Sequence, residues 1–184
     1  ENPPGLGNEH DLVGRFFADH PHAGRVGEAV FTGLRSEKVA ALYLSRKRDK
    51  HVGRIRTRGV FVLDAETQRR EKLLGCSIQL SAKDGSGKKM TAAVATMAGR
   101  LGRGAGLEFE TVVRAGLSVR SEQAPNPDSR VTLMDERDRL GLRRAKLDWR
   151  ISDQDAHSIR RTLEILAHDL GASLLGRARV RFDV

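Results

Sequence analysis

Residues Gly116 to Leu133 run Gly-Leu-Ser-Val-Arg-Ser-Glu-Gln-Ala-Pro-Asn-Pro-Asp-Ser-Arg-Val-Thr-Leu. They read as a strand, a Pro-Asn-Pro turn and a second strand. Proline has no backbone N–H to give to a ladder, so the two prolines end the first strand and separate it from the next. The segments on either side extend the pattern. Leu107 to Ser121 alternates well enough for a long strand or hairpin, and Ser129 to Met134 reads as a strand. Arg143 to Ile151 alternates cleanly, with Ala145, Leu147, Trp149 and Ile151 on one face and Lys146, Asp148 and Arg150 on the other. That is the signature of a half-buried antiparallel strand. Between them, Asp135 to Leu142 is charged and turn-like.

The remaining elements fit around these strands. Residues 1–23 are rich in Pro, Gly, His and Asp and read as a loop with one turn around Val13 to Phe17. Gly27 to Thr32, Gly59 to Leu63 and Leu73 to Ser81 read as short strands, with a bulge expected at Gly75. Ser36 to Arg48 is compatible with a short helix or a strand. Met90 to Leu101 carries apolar residues at helical spacing and reads as a helix that ends at Gly102. The clearest helix runs from Asp153 to Leu170 or Leu175. Ser152 is its N-cap, with Asp155 three residues on, and Ile159, Leu163, Leu166 and Leu170 form one apolar stripe. Arg177 to Val184 alternates and reads as a last strand. Many strands with two helices inserted predict an α+β fold, a mainly antiparallel β-sheet backed by helices.

At 184 residues the chain is long enough for one domain with a real core, and 39% hydrophobic against 31% charged residues is a globular balance. No apolar run approaches the roughly 18 residues that a membrane-spanning helix needs, and Glu1-Asn-Pro-Pro-Gly5 has neither the basic start nor the apolar stretch of a signal peptide. Cys76 stands alone, which excludes an intrachain disulfide and suits a reducing, cytoplasmic compartment. Its apolar neighbours predict a buried thiol, not a nucleophile. The net charge is +9, with Arg46, Lys47, Arg48, Lys50, Arg54, Arg56 and Arg58 crowded into one stretch. This raises a second reading, a basic non-catalytic module for an acidic partner or nucleic acid. Nucleic acid is disfavoured within it, because aromatics are only 4% and no zinc-finger or helix-turn-helix spacing accompanies the charge.

Several motifs are approached and missed. Ala82-Lys-Asp-Gly-Ser-Gly-Lys88-Lys89 lacks the first Gly and the final Ser or Thr of a phosphate-binding P-loop. Gly102-Arg-Gly-Ala-Gly106 follows a helix, where a dinucleotide fingerprint follows a strand, so it reads as a turn. His10, Asp11, Asp19, His20 and His22 are metal-ligand types, but no second tight ligand pair joins them and no metal is expected. His157 and His168 fall on the charged flank of the long helix. No nucleophile sits in a Gly-x-Ser-x-Gly elbow.

One family accounts for the order of these segments. Gly5-Leu-Gly-Asn8, followed by Asp11-Leu-Val-Gly14-Arg15-Phe-Phe-Ala-Asp19-His20-Pro21, resembles the segment of glucose-methanol-choline (GMC) flavoprotein oxidoreductases that leaves the flavin domain for the substrate domain. Ser121 to Leu133 resembles a sheet turn of the family's sugar- and alcohol-oxidising branches. Asp138 to Trp149, with the helix start at Ser152 and Asp155, resembles the strand and long helix that follow. The resemblance covers nearly the whole chain. It implies a flavin-proximal connection at residues 1–23, a substrate-binding domain at 24–184, FAD as the cofactor of the complete enzyme, and an alcohol or sugar as substrate. It further implies Gly14, Arg15, Asp19 and His20 near the cofactor, and Glu122 and Gln123 at the substrate pocket. The family's dinucleotide fingerprint would precede Glu1 and its catalytic histidine would follow Val184, so no catalytic residue carries over, and FAD is not expected to stay on this part alone. The rest of the flavoenzyme would complete the site in cis or, as the lesser alternative, as a complementing subunit.

Overall fold

A computed structural model describes residues 5–31, 38, 40–44, 47–48, 56–82 and 113–181. The architecture is α+β. Its centre is a five-stranded antiparallel sheet in the order β4-β5-β6-β1-β9. These strands are β1 (His22–Phe31), β4 (Phe61–Val62), β5 (Cys76–Ala82), β6 (Val113–Ser121) and β9 (Gly176–Val180). A short pair, β2 (Lys47–Arg48) with β3 (Arg56–Thr57), and a ribbon of β7 (Arg130–Arg137) with β8 (Arg143–Asp148) stand apart from it.

The strands form because their apolar residues alternate. In β6, Val113, Ala115, Leu117 and Val119 are buried while Arg114, Gly116, Ser118 and Arg120 point the other way. In β5, Ile78 and Leu80 are buried alongside the Cys76 thiol. Against this inner face packs α2 (Asp153–Ala172), a helix whose Leu163, Leu166 and Leu170 are buried and whose Ile159 is half-buried against the same core. Each leucine removed from water in this way contributes about 2 kcal/mol. α2 passes through Gly171 and stops at Ala172, between the two ends that the sequence allows, Leu170 and Leu175. Ser173 caps its C-terminus, and Leu174, with φ of 56°, makes the turn into β9.

Three differences from expectation have local causes. α1 (Ala65–Glu71) was not foreseen; Asp64 caps it by accepting from the Thr67 N–H at 2.9 Å, and Lys72 closes it in a left-handed conformation. Gly75 is not a bulge within a strand. It precedes β5, where its N–H donates to Glu122 Oε2 at 2.9 Å and its carbonyl accepts from the Glu122 N–H. β8 alternates as predicted, yet all six of its residues are exposed. Among the described residues it pairs only with β7, in a two-stranded ribbon outside the main sheet, so its apolar face gains no cover from that sheet. The expected helix at Met90 to Leu101, the glycine cluster at 102–106, the near-P-loop at 83–89 and most of the basic stretch at 46–56 lie outside the described residues.

Candidate functional site

An open cleft of about 820 Å³ lies at one end of the main sheet. Four pieces of chain build its walls. The loop before β1 supplies Ala18, Asp19 and His20, and the end of β6 supplies Arg120, Ser121, Glu122 and Gln123. The start of β5 adds Gly75, Cys76 and Ser77, while β4 and α1 close the remaining side with Val62, Leu63 and Gln68. Residues 100 positions apart meet here because β1 pairs antiparallel with β6, placing His22 opposite Arg120. The Pro21 carbonyl extends the pairing by accepting from the Ser121 N–H at 3.1 Å.

The sequence-predicted residues divide into two groups. Asp19, His20, Glu122 and Gln123 come together in the cleft. His20 Nδ1 lies 2.6 Å from Asp19 Oδ1, and the His20 backbone N–H donates to the same oxygen at 2.7 Å. The backbone bond first, then the ring contact, holds the Asp19 carboxyl below its ordinary pKa. Glu122 spends Oε2 on the Gly75 N–H, and among the described residues no hydrogen bond engages its Oε1. Gln123 is more committed. Its Oε1 accepts from Trp149 Nε1 at 2.8 Å and from the Asp19 N–H at 3.3 Å, and its Nε2 donates to the Arg150 carbonyl at 2.8 Å. It ties the loop, β6 and the chain after β8 together, and so positions Asp19 and offers little to a ligand itself.

Gly14 and Arg15 do not line this cleft. Gly14 has φ of 79° and lies against β7, where its carbonyl accepts from the Val131 N–H and any side chain would run into the Val131 carbonyl. Arg15 donates to the Asp11 carbonyl and carboxylate and to the Pro127 carbonyl. Both residues are thus used in fixing the loop to the β7 ribbon. Asp11 is occupied likewise, and among the described residues no cluster of His, Cys, Asp or Glu has metal-site geometry. The Cys76 thiol belongs to the core, 3.1 Å from the Ser121 hydroxyl.

Among the cleft residues that the sequence did not single out are Arg120, Ser77 and Gln68. The first two were legible in the alternation of β5 and β6, which puts both on the face opposite the core, and the register pairs them directly. Gln68 belongs to the unforeseen α1, where its Nε2 donates to the Leu63 carbonyl.

The described residues do not fit the pyrophosphate of a dinucleotide. Such a group needs free N–H groups at a helix start, and at both described helix starts a side chain already accepts from a first-turn N–H: Asp64 from Thr67 at α1, and Ser152 from Asp155 at α2. What the cleft offers is a mixed set of hydrogen-bonding groups, namely carboxylates, an amide, a hydroxyl and a guanidinium, beside apolar Val62 and Leu63.

The class defined by fold and cleft is an α+β domain whose antiparallel sheet forms one wall of an open pocket of mixed polar and apolar lining. No protein-family model matches the chain, and no curated protein matches it. Among the described residues, no helix is long and apolar enough to cross a membrane.

Proposed function

We propose that the chain is the substrate-binding part of an FAD-dependent oxidoreductase of the GMC type, acting on CH–OH groups of alcohols or sugars. The observation that carries the reading is the meeting of Asp19 and His20 with Glu122 and Gln123 in one cleft. The resemblance named the first pair as flavin-proximal and the second as substrate-proximal, on segments 100 residues apart, and the β1–β6 pairing gives them a physical reason to adjoin.

In this reading the chain binds and orients. Asp19 and Glu122 Oε1 accept from substrate hydroxyls, Arg120 donates to substrate oxygens, and Val62 and Leu63 pack on the carbon skeleton. The flavin, gripped by the rest of the enzyme in cis or by a complementing subunit, supplies the hydride acceptor. Gly14 and Arg15 hold the entry loop in place for the cleft.

Two measurements test this. Titrating isotope-labelled chain with glucose and with short alcohols is expected to shift amide resonances at residues 18–20, 62–63 and 120–123, and a response elsewhere or none at all counts against the cleft as the substrate site. The gene product that contains this chain is expected to purify with bound flavin. A colourless product that oxidises no alcohol or sugar when FAD is added overturns the family assignment.

A further inference from the structure

The outer face of the main sheet carries a cluster of arginines at its β9 edge that the cleft does not use. Ala178 and Val180 of β9 pack on the core, so Arg177 and Arg179 point to the opposite, exposed face. The register places Val30 of β1 between Arg114 of β6 and Arg177 of β9, one cross-strand row with a guanidinium on each side of an apolar centre. The neighbouring row sets Arg179 beside Glu28, and Arg181 follows, its Nη2 3.9 Å from Glu28 Oε1. Four arginines thus face one glutamate. Among the described residues, Arg114, Arg177 and Arg179 make no ion pair, and no strand pairs with the far side of β9.

We propose that this edge docks an extended acidic polypeptide segment. Like charges held one row apart raise the local potential, and an anionic partner relieves it. The edge strand supplies the second half of the recognition. A peptide laid along β9 can pair with the edge that no described strand covers, and its alternate side chains recur about every 6.6 Å. That is the spacing at which Arg177 and Arg179 leave the strand. A segment alternating acidic and apolar residues would set its carboxylates beside Arg177 and Arg179 on the outer face and turn its apolar side chains to the other face, beside Ala178 and Val180. A nucleic acid fits less well, since among the described residues no aromatic ring stands on this face for a base to stack on. The proposal is independent of the oxidoreductase reading.

The probe is a synthetic peptide of alternating Glu and Val, with a Lys-Val peptide as control, titrated against the purified chain by fluorescence anisotropy. Saturable binding of the acidic peptide that weakens as salt rises is expected, with none for the basic one. Replacing Arg177 and Arg179 with Gln is expected to weaken it by about tenfold or more, and replacing both with Lys to keep most of it. Unchanged affinity in the Gln variant overturns the proposal. Should that variant fail to fold, amide shifts in the wild-type chain decide. Perturbation centred on residues 26–31 and 176–181 supports the site, and perturbation elsewhere overturns it. Duplex DNA that binds more tightly through the same arginines overturns the choice of partner.

Discussion

Asp11 holds two guanidinium groups on one carboxylate. Oδ1 and Oδ2 accept from Arg130 at 2.5 and 3.1 Å, and Oδ2 also accepts from Arg15 at 2.5 Å. Arg130 opens β7 and Arg15 belongs to the loop, so this one side chain ties the loop to the ribbon. The Arg130 bonds first, then those of Arg15, hold its carboxyl well below the ordinary value of 3.8. A depressed folded-state pKa stabilises the fold fully above the ordinary value, and that stability is lost as pH falls toward the folded one. The Asp11→Asn variant is therefore expected to melt below the wild type at neutral pH, with the gap closing once pH drops below about 3.8. Asp11 is 55% exposed, so water and ions screen the cluster and the gap widens at low salt. Thermal melts over this pH range check it; curves that stay parallel at every pH would show that the cluster contributes nothing. The motif Asp11 to Pro21 was legible in the sequence, but the division of labour within it was not. Which of its residues fix the loop and which reach the cleft depends on where β7 passes, and that is a long-range fact.

The start of α2 concentrates several bonds on one buried carboxylate. Asp155 Oδ2 accepts from the Ser152 N–H and hydroxyl at 2.7 and 2.8 Å, and Oδ1 accepts from the Ala124 N–H at 2.7 Å, just beyond the cleft residues Glu122 and Gln123. Removing Asp155 strands two part-buried N–H groups, whereas removing the Ser152 hydroxyl loses mainly a cap. Asp155→Ala is expected to cost about 3 kcal/mol and Ser152→Ala about 1 kcal/mol, measured by urea denaturation. Equal costs would mean that the bond to Ala124 adds nothing. This element was read correctly from sequence, because both the cap and the stripe at Leu163, Leu166 and Leu170 are local patterns. α1 was missed although Asp64 and Thr67 signal its cap, because seven residues show too little periodicity to stand out. β1 was read five residues short. Its first part runs through Gly24 and Arg25, where φ reaches 59° and the register shifts, so no alternation marks it.

At the scale of the whole molecule, the polarity of the main sheet and that of the β7–β8 ribbon are opposed. The sheet covers its apolar face with α2. The ribbon leaves its own in water: Val131 opposes Leu147 and Leu133 opposes Ala145 on one face, and Leu133, Leu147, Trp149 and Ile151 are all exposed. Phe17 meets Trp149 in a T-shaped contact, with ring centroids 6.3 Å apart. The alternation in β8 was plain in the sequence, yet alternation says which residues share a face and not whether anything covers it, which is why half-burial was expected and exposure found. Adjoining exposed leucines on a two-stranded ribbon are a site for self-association. The isolated chain is accordingly expected to aggregate as its concentration rises. A variant carrying Leu133→Glu and Leu147→Lys puts opposite charges on the same face, and it should raise the monomer fraction in sedimentation velocity. Because neither leucine is buried, its unfolding free energy should stay within about 1 kcal/mol of the wild type. A wild-type chain that stays monodisperse, or a variant that aggregates just as readily, would mean that the ribbon is not the surface that associates. A variant that loses several kcal/mol would mean instead that these leucines pack within the chain after all.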